Sequence, residues 1–378
     1  MGSYLPGTKS AGVTMSVSQM VKSLYPNVKF NILTEDRDIG DTVPYQNVEL
    51  EKWTSYKEAS VFYSHKYIQS LSYFKKVIKS IDFDVYYING FYNFKDNARF
   101  FLLYWLRLIP QKPIIIAPRG IFSMGEYSSH NFVRKIYRRL FELSGLLKKT
   151  TWHATAQTEE EDIRKGFVSK QINIEIIQNM NDTKVLEKPS SLQKSNGEIK
   201  ILFISRISAK KNIKLALNAL KSVKGNASFD IYGMIGTEED RLYWKECEQI
   251  IASLPANIKC KYHGEVAHEK TAELFQSHHV FLFPTHGENY GHVITESIAN
   301  GCPLILSDMT PWNDIQQNKA GYVIPLKNES EYTSALQKFI DMSQEEWSSY
   351  QLNTLRYAAH RLNSEEIAKK YLNFFSKL

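Results

Sequence analysis

Short apolar runs alternate with helical patterns along the whole chain, and this alternation constrains the fold more than any other feature. In the first half, the runs predicted to be strands are "KFNILT" (29–34), "VYYIN" (85–89), "PIIIAP" (113–118), "TWHATA" (151–156) and "IEIIQN" (174–179). Continuous apolar strands separated by helices are typical of parallel sheets covered by helices on both faces. We therefore predict a doubly wound α/β domain over residues 1–185.

A second series of the same kind follows a break in the pattern. The break, "LEKPSSLQKSNGE" (186–198), is rich in Pro, Ser, Lys and Gly and is predicted to be an interdomain linker. A second doubly wound domain is predicted over 199–360, and a C-terminal helix over 361–378 could cross back to the first domain. Two such domains facing each other across a cleft would bind ligands at the carboxyl ends of their strands. The strands predicted here are "IKILFIS" (199–205), "SFDIYG" (228–233), "IKCKYHG" (258–264), "VFLFPT" (280–285), "CPLILS" (302–307) and "GYVIP" (321–325).

The N-terminus departs from this plan. A doubly wound domain usually opens with a strand, whereas "GSYLPGTKSAG" has the composition of the loop that follows one. We expect the first strand of the N-terminal domain to be missing from this chain. A well-formed strand before Pro6 would contradict that expectation.

Composition narrows the class of protein. A net charge of +7 and a pI near 8.9 favour an anionic ligand or an anionic membrane surface, and are too mild to indicate nucleic-acid binding. The 3 cysteines lack metal-type spacing, which suits a reducing compartment. The longest apolar run, "ARFFLLYWLRLIP", contains two arginines and is too short to span a bilayer. We expect a soluble cytoplasmic protein.

The stretch "GENYGHVITE" (287–296) is the first candidate site. A helix is predicted to begin near Tyr290 to His292, so that the amides of its first turn and the helix dipole favour a phosphate. Glu296, a turn further on, could accept hydrogen bonds from a ribose diol, and Glu288 from hydroxyls of a second sugar. The pattern suits a sugar nucleotide, although a helix start stabilised by acidic residues would look similar.

The stretch "FISRISAKKNIKLALNAL" supplies cations for the same edge of the second sheet. Arg206 follows a predicted strand and Lys211 opens the next helix, so both could neutralise a diphosphate. A solvated basic loop is the plainer alternative. The two stretches together favour the diphosphate site.

With these residues in view, the chain resembles the retaining glycosyltransferases of family 4, whose GT-B fold has two Rossmann-like domains. In the C-terminal half the resemblance rests on "SRISAKKN", "DIYGMIGTEEDRLYW" and "PTHGENYGHVITESIANGCPLILSDMTPW". In the N-terminal half, "YLPGTKSAG", "ILTEDRDIGD", "APRGIFSMG" and "HATAQTEEEDIRKGF" resemble a bacterial branch that builds surface polysaccharides such as O-antigen, capsule or exopolysaccharide.

The resemblance implies further site residues. Gly12 would approach the donor phosphates from a glycine loop, and Arg119 stands where many relatives have a catalytic His. "QNMND" replaces a common "PNGVD", so Asn179 is a weaker donor-site candidate. The full donor-binding set implied is Gly12, Arg206, Lys211, Gly233, His263, Gly264, Val266, Glu288, Asn289, Tyr290, Gly291, His292 and Glu296, with the base against 233–236 and 263–266.

The reaction implied is transfer of a sugar from a nucleoside-diphosphate donor to a glycan or a polyprenyl-diphosphate-linked acceptor, with Arg206, Lys211, Glu288 and Arg119 as catalytic residues. No cofactor or metal is expected, since neither an Asp-x-Asp motif nor histidines at ligand spacing are present. Other GT-B enzymes, such as a sugar-nucleotide epimerase or a phosphorylase, remain alternatives, as does a binding protein. A dinucleotide-dependent oxidoreductase is disfavoured because no G-x-G-x-x-G follows a strand.

A basic amphipathic segment, "NFVRKIYRRLFELSGLLKK" (131–149), could meet an anionic membrane at the inner face of the plasma membrane. Its predicted apolar stripe is Phe132, Ile136, Leu140, Leu143 and Leu147, and its cations are Arg134, Lys135, Arg138, Arg139, Lys148 and Lys149. A helix packed on the core with a solvated basic face is the alternative.

Overall fold

The computed structural model describes residues 1–7, 11–38, 40–65, 70–122 and 131–378. The chain divides into two compact units: the first comprises Met1–Asp182 with Ser364–Leu378, and the second comprises Thr183–Asn363. The segment predicted to be a linker packs on the second unit, where Lys194 is buried and donates to the carbonyl of Ile340 at 3.0 Å.

The first unit contains two sheets within its described residues. The strands are β1 (Phe30–Glu35), β2 (Trp53–Tyr56), β3 (Ala59–Ser64), β4 (Tyr86–Asn89), β5 (Ile114–Ala117), β6 (Thr150–Ala154) and β7 (Asn173–Ile176). The first sheet has the strand order β1-β3-β2. The second has the order β4-β5-β6-β7, and each of its strands is parallel to its neighbours. The helices are α1 (Ala11–Leu24), α2 (Leu71–Lys79), α3 (Phe94–Trp105), α4 (Asn131–Leu143), α5 (Gln157–Gly166) and, from the C-terminus of the chain, α12 (Ser364–Ser376).

The β2–β3 hairpin was not predicted from the sequence. The two strands pair antiparallel across a two-residue turn in which Lys57 has φ 52°. Such a left-handed turn is usually marked by Gly or Asn, and here it lacks both. Residues 1–7 contribute no strand, and α1 begins at Ala11.

The second unit is built on one parallel sheet, and its six strands are those predicted from the sequence. They are β8 (Glu198–Ile204), β9 (Asn226–Tyr232), β10 (Ile258–Tyr262), β11 (Val280–Phe283), β12 (Leu304–Ser307) and β13 (Gly321–Ile324). The helices are α6 (Ile213–Leu220), α7 (Glu238–Ala252), α8 (Thr271–Ser277), α9 (His292–Ala299), α10 (Glu329–Asp341) and α11 (Gln344–Arg361). Side chains such as Phe203, Phe281 and Phe283 are buried on the sheet, because helices cover both of its faces.

The strand order β10-β9-β8-β11-β12-β13 determines where a ligand can bind in this unit. From β8 the chain adds strands on one side, and from β11 it adds them on the other, so connections leave β8 and β11 in opposite directions. The crevice between their carboxyl ends is the topological switch point of an open α/β sheet, which is where ligands bind in such folds.

Candidate active site

The loop after β11 is fixed at the switch point by hydrogen bonds to two neighbouring loops. His286 N donates to the carbonyl of Lys210 at 2.8 Å, and the Thr285 hydroxyl donates to the same carbonyl at 3.1 Å. Glu288 N donates to Met309 O at 3.0 Å, in the loop after β12. The loop therefore holds Glu288 beside the short 3₁₀ segment Ala209–Lys211 that precedes α6.

Lys211 and Glu288 form an ion pair at the centre of this site. The Lys211 Nζ lies 2.5 Å from Glu288 Oε2, and the two side chains are only 15% and 20% exposed. The ammonium also lies 5.2 Å from the centre of the Phe283 ring, at the end of β11. Burial and two fixed contacts hold the lysine in one place, so an anion bound here meets a cation that is already positioned.

Arg206 follows β8 at the same edge of the sheet. It is exposed, and across the described ranges it forms no ion pair or hydrogen bond. The backbone beside it is tightly packed, since a Cβ on Gly233 would lie 1.7 Å from the carbonyl oxygen of Ser205. Ile207 N donates to Met234 O at 2.9 Å. Only glycine at 233 lets the segments after β8 and β9 approach this closely.

The start of α9 has the features predicted for a phosphate-binding turn. Gly291 is the N-cap residue with φ 80°, and a glycine has no side chain with which to cap the helix. A Cβ on Gly291 would lie 2.8 Å from Ile294 Cδ1 and 3.0 Å from Glu288 Cγ, so a side chain there would also displace Glu288. Tyr290 is buried, and Trp312 Nε1 donates to its carbonyl. The amide-rich turn is thus held rigidly beside the Lys211–Glu288 pair.

The remaining two residues of the predicted loop flank this turn. Asn289 is partly buried between Glu288 and Tyr290. The His292 ring lies 5.1 Å from the Tyr290 ring, edge to face. Both residues therefore lie at the start of α9, as the sequence placed them.

Glu296 lies one turn into α9, on a partly buried surface. Its Oε1 lies 3.7 Å from Nδ1 of His268, and the Glu296 side chain is 15% exposed. Burial raises the pKa of the Glu296 carboxyl, while the charge of His268 and a hydrogen bond from Thr271 oppose that shift. His268 and Thr271 were not predicted from the sequence, because they reach Glu296 only through the packing of α8 against α9.

A cavity of about 440 Å³ lies beside the carboxyl ends of β9 and β10. Its lining includes His263 and Val266, which the sequence assigned to the donor base, together with Tyr232 and Lys270. The rings of Tyr232 and His263 stack at 4.5 Å. The size is within the usual range for small-molecule pockets.

The polar contacts of His263 and Gly264 hold this pocket wall in place. His263 Nε2 contacts Asp230 Oδ1 at 2.5 Å, and Gly264 O accepts from Gly233 N at 2.8 Å. A hydrogen bond from His278, with a second from His263, lowers the pKa of Asp230. Nε2 of His263 is thus occupied by its contact with Asp230. What His263 offers a ligand is therefore the face of its ring, which forms part of the pocket wall.

In the first unit, Arg119 is surrounded by a shell of hydrogen-bond acceptors at the carboxyl ends of the strands. Its guanidinium donates to Asn179 Oδ1 at 2.6 Å, Asn89 Oδ1 at 3.1 Å and the Tyr87 hydroxyl at 3.2 Å. Arg119 has φ 59°, an uncommon conformation for a residue with a side chain. The network therefore fixes the direction of this cation, and Asn179 acts in the first instance as its partner.

The same shell contains a buried histidine. His153 Nδ1 contacts the Tyr87 hydroxyl, and Nε2 contacts the carbonyl of Ile177 at 2.7 Å. Burial, aided by the charge of Arg119, lowers the pKa of His153 to about 3. His153 is therefore neutral at physiological pH and does not repel the neighbouring guanidinium.

Gly12 is placed differently from the prediction. The resemblance placed it in a loop, but it is the second residue of α1, and a Cβ there would meet no atom of the described residues within 4 Å. Open space at the start of a helix leaves room for a ligand's close approach. The rest of the predicted glycine loop, residues 8–10, lies outside the described residues.

The predicted site residues thus divide between the two units. Arg119, Asn179 and Gly12 belong to the first unit. The second unit brings Arg206, Lys211, Gly233 and the 288–292 segment to one sheet edge, with Glu296 on α9 and the His263–Val266 wall beside it. In the described ranges, no group of three His, Cys, Asp or Glu side chains is arranged to hold a metal ion.

A comparison with known proteins finds a family match within the second unit. Residues 185–353 match the family model described as "Glycosyl transferases group 1". This region is therefore similar to the glycosyl transferases group 1. The matched residues include Arg206, Lys211, Glu288 and Glu296, the four polar side chains singled out above.

Among curated proteins, the chain is similar to the O-antigen chain mannosyltransferase RfbU of Salmonella typhimurium. The two are 24% identical over 211 residues, which is 56% of this chain and 56% of that protein. The chain therefore aligns with little more than half of the length of this relative.

Among solved structures, sucrose-phosphate synthase from Thermosynechococcus elongatus aligns with a TM-score of 0.72 and 15% identity, over 97% of this chain and 93% of that one. HepE of Anabaena, solved with UDP and glucose, aligns with a TM-score of 0.70 and 15% identity, over 100% of this chain and 98% of that one. The fold is therefore GT-B, with two Rossmann-like α/β units.

Proposed function

We propose that the protein is a retaining glycosyltransferase that uses a nucleoside-diphosphate sugar as donor. The observation that carries the proposal is the cluster at the β8–β11 switch point, where one sheet edge carries the partly buried Lys211–Glu288 pair, exposed Arg206 and the start of α9. Two cations and a helix N-terminus match a diphosphate, and a carboxylate beside them matches the hydroxyls of the attached sugar. The similarity to RfbU and to UDP-bound HepE supports the same donor class.

Each group then has a role in the transfer. The bond from the anomeric carbon to the diphosphate oxygen breaks, and Arg206, Lys211 and the α9 turn stabilise the negative charge that develops on the leaving group. The acceptor hydroxyl attacks the same face of the sugar, and its proton passes to the departing phosphate oxygen, so that configuration is retained. Glu288 orients the sugar, and Glu296 accepts hydrogen bonds from the ribose.

The structure of the first unit suggests how Arg119 contributes. Its guanidinium is already bound to three neutral acceptors, Asn179, Asn89 and the Tyr87 hydroxyl. It keeps its full charge, because none of these partners is an anion. We assign to Arg119 a fixed positive potential for an anionic group that binds the first unit, and to Gly12 the close approach of a ligand to the start of α1.

The donor assignment is tested by a thermal-shift screen with UDP-, GDP-, ADP- and CDP-sugars. A ligand at one hundred times its Kd should stabilise the protein by about 2.7 kcal/mol. One nucleotide series should raise Tm in wild type and fail to do so in Arg206→Ala. Absence of a shift with all four series would refute the donor site.

Two further features of the reaction follow from the site. Transfer should be insensitive to EDTA, because Arg206 and Lys211 take the place of a metal ion. The anomeric configuration of the product, read by NMR coupling constants, should equal that of the donor. An inverted product, or activity abolished by EDTA and restored by Mg²⁺, would contradict the mechanism.

The acceptor is a glycan in cell-surface polysaccharide synthesis, carried on a polyprenyl diphosphate. The similarity to an O-antigen mannosyltransferase supports this choice. Such an acceptor would place the enzyme at the cytoplasmic face of a membrane. The contact that we propose is peripheral. Within the described ranges, no helix is long and apolar enough to cross a membrane.

Helix α4 carries the surface proposed for that contact. The predicted helix over 131–149 consists of α4 and a 3₁₀ segment, Leu146–Lys149, and Leu147 is buried, so its place on the apolar stripe was predicted wrongly. The other stripe residues are exposed: Phe132 by 76%, Ile136 by 44%, Leu140 by 60% and Leu143 by 68%. An apolar stripe in water beside exposed Lys and Arg side chains is the pattern of an interfacial helix.

Flotation with anionic vesicles tests the contact. Wild type should float with phosphatidylglycerol vesicles at low salt, and Phe132→Ser/Leu140→Ser should reduce the floated fraction at least threefold. Val43→Ser is the matched control, because Val43 is 66% exposed elsewhere in the same unit. Equal flotation of all three proteins, or none by wild type, would refute the membrane role of α4.

A further inference from the structure

A buried tryptophan in the loop after β12 contacts the turn at the start of α9. Trp312 is 2% exposed, and its indole Nε1 donates to the carbonyl of Tyr290. The centres of the two rings lie 5.8 Å apart. Because the two residues lie in loops that follow different strands, this contact depends on the pairing of β11 with β12 in the sheet.

The bond to the Tyr290 carbonyl fixes the plane of the peptide between Tyr290 and Gly291. This peptide is trans, and in a trans peptide the C=O and the following N–H point in opposite directions. The Gly291 N–H therefore points away from the indole of Trp312. Gly291 is buried, and among the described residues its N–H has no hydrogen-bond partner. A buried N–H of this kind favours the binding of an acceptor oxygen.

Glycine at position 291 makes an outside restraint on this peptide necessary. Gly291 has φ 80° and no Cβ, so its own sterics leave the peptide more freedom to rotate than those of any other residue. Gly291 also lies beside the Lys211–Glu288 pair, since a Cβ on it would lie 3.0 Å from Glu288 Cγ. The N–H that Trp312 orients thus belongs to the turn next to the positioned cation.

Helix α11 holds the Trp312 ring in place. The Arg361 guanidinium lies 5.6 Å from the centre of that ring, and the Tyr357 ring packs on it edge to face at 6.3 Å. The Tyr357 hydroxyl donates to Asp314 Oδ1 at 2.7 Å, two residues further along the same loop. Because these contacts fix the ring, the direction of its N–H is set before a ligand binds.

We propose that Trp312 is a positioning residue for the donor diphosphate: its indole holds the Tyr290 carbonyl so that the Gly291 N–H meets a phosphate oxygen. This role rests on the proposed function, because it requires a diphosphate at the start of α9. Without the indole N–H, the peptide is free to rotate and the bond to a charged oxygen is lost. A hydrogen bond to a charged group contributes about 10- to 100-fold to Kd.

Two tryptophan variants of the full chain separate this role from core packing. Trp312→Phe keeps a buried ring and removes the N–H. Trp347→Phe is the matched control, because Trp347 is fully buried in the same unit and its Nε1 donates at 2.9 Å to the carbonyl of His279, just before β11. In isothermal titration with UDP, GDP, ADP and CDP, Kd should rise about 10- to 100-fold in Trp312→Phe and stay within about twofold in Trp347→Phe.

NMR of the Gly291 amide gives a readout that core packing does not change. The chain has two Tyr–Gly steps, 232–233 and 290–291, so carbonyl-labelled Tyr combined with nitrogen-labelled Gly selects two amides. The diphosphate should move the Gly291 amide proton downfield in wild type and, even at saturation, should not do so in Trp312→Phe. The Gly233 amide, which donates to Gly264 O at 2.8 Å, should be unchanged between the two free proteins and so reports an intact sheet edge.

Failure of this role is distinguishable from failure of the donor site. If wild type binds a nucleoside diphosphate while its Gly291 amide proton does not move, the role is wrong, whether or not Trp312→Phe folds. Equal losses of affinity in both tryptophan variants, or no loss in either, also refute it and leave the donor site standing. If wild type binds none of the four diphosphates, the donor site itself is refuted, and the role of Trp312 with it.

Discussion

The Lys211–Glu288 pair allows a test of how charge balance affects donor binding. The test distinguishes the loss of the Lys211 charge from the effect of leaving Glu288 without its partner. Because the Lys211 ammonium lies 2.5 Å from the Glu288 carboxylate, the pair is close to neutral before a donor binds. Replacing Lys211 by Met removes a cation and also leaves a carboxylate, 20% exposed, beside the diphosphate site. Lys211→Met should therefore lose more affinity for a nucleoside diphosphate than the removal of one positive charge alone would cause.

Coulomb's law gives the size of the extra loss. A diphosphate charge ~6 Å from the Glu288 carboxylate, at an effective dielectric constant of about 20, is repelled by about 3 kcal/mol. Partial exposure of Glu288 lowers this to about 1–2 kcal/mol, which is about 5- to 30-fold in Kd. The double variant Lys211→Met/Glu288→Gln should bind a nucleoside diphosphate more tightly than Lys211→Met by that factor.

Isothermal titration with UDP and with GDP measures this, and using diphosphates without a sugar removes the contribution of Glu288 to sugar binding. The matched control is the ion pair of Lys214 with Glu246, which joins α6 to α7. The same pair of changes there, Lys214→Met with and without Glu246→Gln, should leave Kd within twofold. If the double variant at Lys211 binds no more tightly than the single one, the charge argument fails.

Four further predictions concern the fold and its pH dependence. Gly233→Ala should cost about 3 kcal/mol in urea unfolding because its Cβ meets Ser205 O, whereas Gly12→Ala should stabilise by about 0.5–1 kcal/mol yet reduce turnover. Because burial raises the pKa of Glu296, wild type should lose stability relative to Glu296→Gln as pH rises from about 4.5 through that raised pKa. His153, with its pKa lowered to about 3, should make wild type lose stability relative to His153→Phe as pH falls from about 6.5 towards 3. Flat stability differences across pH would contradict the last two predictions.

Much of the architecture was accessible from local patterns. All six strands of the second unit lie where apolar runs were quoted, and so do five strands of the first unit, β1 and β4 to β7. Helix α9 begins at His292, within the predicted start. These features depend on side-chain periodicity and on glycine placement, which are properties of neighbours in sequence. The β2–β3 hairpin was missed because its turn uses Lys57 in a left-handed conformation.

The chain of residues by itself determined the two α/β series, the acidic and basic residues of the donor motif, and their position after particular strands. Only the tertiary structure decided that Lys211 is neutralised by Glu288, that Gly233 faces Ser205, and that Asn179 serves Arg119. Each of these contacts joins residues tens of positions apart, so its distance and burial depend on how the strands are ordered. That order follows from burying both faces of each sheet, which no local pattern encodes.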